Sequence, residues 1–315
     1  MQKQRLMRVA SIGECMIEFS AARDGLFARG FGGDTLNTAV YLARLGIDTS
    51  YVTALGDDAL SEAMLAAWRA EGIRTNDVLR VPGRVPGLYL IERDAHGERS
   101  FLYWRDRAPA REFFDRVDDA ALDRLSRFDW LYLSGISLSL YGEKGRARLR
   151  DLLTAARRNG GRIAFDGNYR ARLWSDAQSA RYAFCGILPL IDLALPTLED
   201  EQALFGDEDA FACLARLRAH GIKETVVKRG PLGCLIDADG HVLEVPPPKI
   251  VQPVDTTAAG DSFNAAYLAA RILGAAPVDA ARAGHRLACA VIMSSGAVIA
   301  REAMPRDIIS IGAPT

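Results

Sequence analysis

Cysteine is scarce and never paired in this sequence. The five residues (Cys15, Cys185, Cys213, Cys234 and Cys289) are scattered, odd in number and absent from any CxxC arrangement. That speaks against a disulfide framework or a zinc site and for free thiols. Histidine is scarcer still: His96, His220, His241 and His285 fall at no metal-ligand spacing. Neither sign of charge dominates, with 39 Lys and Arg against 40 Asp and Glu, so nothing marks the chain as a partner of nucleic acid or of an anionic membrane. No uncharged apolar run reaches the roughly 18 residues that a membrane helix needs. The opening MQKQRLMRVASIGE has no apolar core of signal-peptide length, and a cytoplasmic location is expected. The phosphate-binding GxxxxGKS/T pattern is absent, as is a GxGxxG after a strand, which excludes a P-loop nucleotide site.

What is present points to an α/β protein. The 315 residues, 49% hydrophobic and 25% charged, suit one large domain with a small addition. Short β-rich runs (RVASIG, SYVTALG, WLYLSG, RIAFDGN, DLALP, TVVKRG) alternate with helical stretches such as DALSEAMLAAWRAEG and EKGRARLRDLLTAARRNGG. That alternation predicts a mostly parallel sheet with helices on both faces. Ligands in such folds gather at the carboxyl ends of the strands, where this chain places Gly13, Gly135, the DGN of 166–168 and Gly230. One segment breaks the alternation. Residues 88–105, LYLIERDAHGERSFLYWR, read as an antiparallel hairpin around a DAHG turn. Period-two geometry puts Phe101, Tyr103 and Arg105 on one of its faces, as for a lid or an oligomer edge. VPPPKI at 245–250 reads as a stiff connector within the domain.

Two helix starts carry the chemistry. In VDTTAAGDSF, residues 254–263, the nearly side-chain-free Ala258, Ala259 and Gly260 open a helix that stops at Gly274. Unpaired N–H groups and the helix dipole make such a start a site for a phosphate. Asp261 would repel a bound phosphate unless it takes a proton instead, from a hydroxyl attacking the γ-phosphate in a phosphoryl transfer. The other reading, a loosely capped helix with a dipole-favouring acid in its first turn, stays open at this point. In GFGGDTLNTAVYLARLG, residues 30–46, Gly32 and Gly33 open a second helix, with Asp34 and Asn37 in its first turn within reach of hydroxyls in front of it. Here the alternative is a glycine turn with Asp34 or Thr35 as N-cap.

The two blocks, far apart and in this order, resemble the paired signatures of the ribokinase-like (PfkB) sugar kinases, and the resemblance runs from IGE near the start to GHRLACAVIMSSGAV near the end. Within that family FGGDTLNT, YWR, YLSGISL, NYRARLW, VVKRG and DTTAAGDSF together resemble the bacterial branch acting on 2-keto-3-deoxygluconate. The resemblance implies a single ribokinase-like domain over residues 1–315: a Rossmann-like three-layer body with a mostly parallel sheet, and a small β-sheet lid from segments about 14–34 and 86–108. It implies ATP-dependent phosphorylation of a sugar-acid 6-hydroxyl, with Asp261 as base and Ala258, Ala259 and Gly260 as anion hole. The family usually has glycine where this chain has Ala258. Its magnesium-associated Asn-x-x-Glu element appears only as TLED, with Thr197 and Asp200 at the matching positions, so Mg2+ is expected to be held largely through water and phosphate oxygens.

Gly33, Asp34, Asn37, Tyr89 and Tyr103 are the expected sugar contacts. A keto acid adds a carboxylate, for which Arg105 and Arg170 are the candidates, because guanidinium can hold it through two charge-assisted bonds. The alternative for both is pairing with acids at the surface. Asn168, Lys228, Gly230, Gly233 and Gly260 are expected at the ATP phosphates, and residues 285–296 over the adenine. Closure of the lid would exclude water, and pairing of lid edges would give a homodimer or higher homo-oligomer. Rival readings are a fructokinase or other neutral-sugar kinase of the same family, and a sugar-acid sensor without catalysis.

Overall fold

A computed structural model describes residues 6–21, 25–93 and 99–309. In chain order its strands are β1 (Arg8–Ile12), β2 (Met16–Ala21), β3 (Phe27–Gly32), β4 (Asp48–Leu55), β5 (Val78–Arg80), β6 (Leu88–Arg93), β7 (Arg99–Trp104), β8 (Trp130–Ser134), β9 (Arg162–Asp166), β10 (Leu193–Ala194), β11 (Glu224–Lys228), β12 (Cys234–Ala238) and β13 (His241–Val245). Nine form one sheet in the order β13-β12-β11-β10-β9-β8-β1-β4-β5, and the other four form a second sheet, β3-β2-β6-β7. All six strands expected from the apolar runs lie side by side in the large sheet and run parallel to one another.

Successive residues of these strands feed opposite layers, as the strand's period of two requires. Trp130 and Tyr132 of β8 join one apolar cluster, and Leu131 and Leu133 join the other. One layer is closed by helices such as Glu143–Arg158, whose Leu149, Leu152, Leu153 and Ala156 form one buried stripe at helical spacing. The other is closed by the helices Asp34–Arg44, Ala259–Ile272 and Pro277–Val291, which supply Tyr41, Tyr267 and Leu287. Burying a large apolar side chain contributes about 1.5–3 kcal/mol, so this double-sided core fixes the sheet and with it the strand ends.

Between Gly230 and the VPPPKI connector, where the apolar runs give no strand, β12 and β13 complete an antiparallel meander with β11. Its last turn sits on Asp239 and Gly240, both at positive φ (49° and 87°), the backbone that an Asp-Gly pair favours in a tight hairpin. In the smaller sheet β6 and β7 pair antiparallel, with Tyr89 opposite Tyr103, and β2 pairs parallel with β6. The DAHG turn lies outside the described residues. Leu102 and Trp104 point away from the large sheet, 45% and 58% exposed, while Phe101 and Tyr103 point into a cleft.

Candidate active site

The cleft, about 810 Å3, opens between the two sheets at the carboxyl ends of β1, β8, β9 and β11. Parallel strands with crossover helices bring their ends and the following helix starts to one edge, and both glycine-opened helices arrive there. The Asp34–Arg44 helix is capped by Gly33 with no side-chain bond, so neither Asp34 nor Thr35 serves as N-cap and the Asp34 carboxylate is left for the cleft. A Cβ at Gly33 would overlap the Glu14 carbonyl oxygen, which explains a glycine at this position.

At the second helix start Ala258 has φ 59° and ψ 17°, left-handed for a non-glycine residue, and the helix runs Ala259–Ile272. The Ala259 N–H turns back to the Thr256 carbonyl at 3.2 Å. Those of Gly260 and Asp261 find no partner among the described residues, as the first turn of a helix dictates. Asp255 ties this turn down. It accepts the Thr257 N–H at 2.9 Å and the Gly296 N–H at 2.8 Å.

Around Asp261 the cleft floor is a network of buried polar groups. Asn37 Nδ2 donates to Asp261 Oδ2 at 2.8 Å, and Asn168 Nδ2 donates to Asp34 Oδ2 at 2.8 Å. Lys228 Nζ donates to Asp166 Oδ1 at 3.2 Å and to Asn264 Oδ1 at 3.0 Å, while Asn264 Nδ2 reaches Asp166 Oδ2 at 2.8 Å. Burial, then the neighbouring Asp34 and Asp166 charges, push the Asp261 carboxyl well above the usual range, against the Asn37 hydrogen bond and Lys228. Asp34 is raised chiefly by burial too. A carboxylate raised in this way is a stronger proton acceptor than one in water.

Of the expected sugar contacts, Gly33, Asp34, Asn37, Tyr89, Tyr103, Arg105 and Arg170 all line the cleft, as do Ala258, Ala259, Gly260, Asn168 and Lys228. Gly230 and Gly233 do not line it. They turn the chain from β11 to β12 at φ 54° and 84°, and a Cβ on Gly233 would strike the Val245 carbonyl. His285 is buried against Phe263, ring to ring at 5.0 Å, with Nε2 3.0 Å from the Val245 carbonyl oxygen.

Arg105 and Arg170 come already paired. Arg105 is buried against Glu14, and Arg170, its side chain 43% exposed, meets Asp200 at 2.9 Å, so the acid pairing considered for them holds, buried for Arg105 and at the exposed rim of the cleft for Arg170. Asp166, Asn264, Glu14 and Arg172 escaped the sequence reading as site residues. Asn264 follows Asp261 by three residues and so shares its helix face, and Asp166 ends β9 as the first residue of the DGN at 166–168; those two signals were available. Glu201, Asp207 and Cys213 place ligand-type atoms within 4.8 Å of one another, but Arg216 already bonds both carboxylates at 2.7 Å and supplies the positive charge there.

Residues 7–304 match the pfkB family carbohydrate kinases. The 2-dehydro-3-deoxygluconokinase of Dickeya dadantii (strain 3937) is 48% identical over 305 residues, covering 94% of this chain and 98% of its own. A fructokinase of Klebsiella pneumoniae is 30% identical over 296 residues, covering 93% and 94%. Among solved structures, a putative ribokinase II of E. coli in complex with ATP and Mg2+ superposes with a TM-score of 0.82 at 23% identity, over 95% of this chain and 96% of its own. With its two-sheet architecture and its cleft at the strand ends, the chain belongs to the pfkB family of carbohydrate kinases.

Proposed function

We propose that this protein transfers the γ-phosphoryl group of ATP to the 6-hydroxyl of 2-keto-3-deoxy-D-gluconate (2-dehydro-3-deoxygluconate). The observation that carries this reading is Asp261: a buried carboxylate with a raised pKa, one residue past Gly260, whose N–H is free at the same helix start. A hydroxyl seated there can lose its proton to Asp261 as the new P–O bond forms, while the N–H groups and helix dipole stabilise the charge on the transferring phosphoryl. Identity of 48% to a keto-acid kinase, against 30% to a fructokinase, supports the acid over a neutral sugar.

In this reading Asp34, Asn37 and Tyr89 orient the sugar. Lys228, held by Asp166 and Asn264, sits close enough to Gly260 (3.5 Å from a Cβ built there) to meet a phosphate at that helix start. The donor set suits magnesium, a hard cation that takes one or two carboxylates and keeps its remaining sites for water and phosphate. Asp200, the last residue of the TLED element, lines the cleft together with Asp166, and burial, then the Asp166 charge, raise the Asp200 carboxyl against the neighbouring Arg170. These two carboxylates would hold magnesium, which would supply positive charge against the phosphates. The β2-β3-β6-β7 sheet acts as a lid over the sugar. Its outward Leu102 and Trp104 and its open edges favour a lid-to-lid homodimer, which Trp104→Glu should dissociate in light scattering.

The test is a coupled ADP-release assay on 2-keto-3-deoxygluconate and fructose in parallel. Higher kcat/KM on the keto acid supports the proposal. Preference for fructose overturns the substrate while leaving the phosphoryl transfer, and ADP release with neither substrate would return the sensor reading.

A further inference from the structure

The two helices that open the cleft meet again beneath it, at one buried hydroxyl. Tyr132 is the middle residue of β8 and is fully buried, its ring in the apolar layer under both helices. Its Oη accepts a hydrogen bond from each of them. Thr38 Oγ1 of the Asp34–Arg44 helix donates at 3.2 Å, and Asn264 Nδ2 of the Ala259–Ile272 helix donates at 3.1 Å. Thr38 follows Asn37, and its hydroxyl also lies 3.3 Å from the Asp261 carbonyl oxygen. A tyrosine suits this place because it fills an apolar layer and carries one polar tip.

Asn264, itself fully buried, has every amide hydrogen engaged. One Nδ2 hydrogen goes to Asp166 Oδ2 at 2.8 Å and the other to Tyr132, while Oδ1 accepts from Lys228 Nζ at 3.0 Å. The network fixes the amide's orientation, since turned over it would set Nδ2 against the ammonium. Among the described residues the buried Lys228 ammonium bonds only Asn264 and Asp166, and it lies 3.5 Å from a Cβ built on Gly260. We propose that Tyr132 is a positioning residue for phosphoryl transfer: its hydroxyl holds the Asn264 amide so that Lys228 is aimed at the helix start that receives the phosphoryl group. This rests on the phosphoryl-transfer reading of the cleft and deepens it. Without the hydroxyl, a buried Asn264 N–H loses its acceptor. The amide can regain one only by moving, and the Oδ1 that holds Lys228 moves with it. A displacement of about 1 Å in such a support is enough to cost a large factor in rate.

The test is Tyr132→Phe, which keeps the ring and removes the hydroxyl, assayed with ATP and 2-keto-3-deoxygluconate in the wild-type and Lys228→Met backgrounds. In the wild-type background kcat should fall roughly 10- to 100-fold, with KM for the keto acid little moved. In Lys228→Met the same change should lower kcat no further, because its effect passes through the ammonium. A purely structural contribution would lower both backgrounds by the same factor. Asn264→Leu breaks the same path one bond further on and should repeat the pattern, and it decides the matter if Tyr132→Phe does not fold. An unmoved kcat in folded Tyr132→Phe, or equal losses in the two backgrounds, overturns this proposal alone. A wild type that releases no ADP with the keto acid or with fructose overturns the phosphoryl-transfer reading and this proposal with it.

Discussion

Asn37 donates a 2.8 Å hydrogen bond to Asp261 across 224 residues of sequence. The bond joins the two helix starts whose glycine and alanine runs open the cleft, and it favours the charged form of a carboxylate that burial and Asp34 both oppose. The base is thus set by a balance between two groups of the other helix.

That balance predicts opposite shifts in the pH profile. Asp261 acts when deprotonated, so kcat/KM should rise with pH through its folded pKa, on a limb displaced above the ordinary aspartate range. Asp34→Asn removes a like charge and should move the limb to lower pH. Asn37→Ala removes a hydrogen bond to the charged form and should move it higher. Profiles measured from pH 5 to 9 check both signs.

Ala258 carries a local backbone cost. An alanine at φ 59° is disfavoured by about 1–2 kcal/mol relative to right-handed geometry, while glycine there would cost roughly 0.5–1 kcal/mol in unfolded-state entropy. Ala258→Gly should therefore gain up to about 1 kcal/mol of stability in urea unfolding, with little change in kcat.

Behind the β9 turn, Arg216 holds Glu201 and Asp207 and stacks over Phe205 at 3.9 Å. Even so, burial pushes the Glu201 carboxyl up to about 7. Arg216→Ala would leave two buried carboxylates unpaired, a loss of about 3–5 kcal/mol. Since Glu201 binds a proton more tightly folded than unfolded, its contribution is full below the unfolded pKa and is lost as pH rises towards 7. The loss in Arg216→Ala should accordingly be larger at pH 8 than at pH 5, as denaturant titrations at the two pH values will read.

The body of the fold was legible because short β-rich strands alternate with helical stretches along it, and because Gly46 and Gly274 end their helices at positive φ (85° and 92°). Asp261 and its small neighbours were legible because their chemistry is local. What escaped is what depends on distant partners. Arg105 lies 91 residues from Glu14 and Arg170 lies 30 from Asp200, and no local pattern shows that their charges are met. The β12–β13 hairpin was missed for a different reason: its Asp-Gly turn is a strong signal, but its strands CLIDA and HVLEV are short and follow each other with no helix between them, outside the strand-helix alternation by which the other strands were read.

The most direct test of Asp261 as the base is turnover of Asp261→Asn on 2-keto-3-deoxygluconate and ATP, with thermal unfolding in parallel. Asparagine keeps the shape and cannot take the proton, so kcat should fall at least about a hundredfold. The variant should be no less stable at pH 8, because the buried charge is gone. Turnover undiminished in a folded Asp261→Asn would contradict the assignment of the base and the reading of this helix start as the site of phosphoryl transfer.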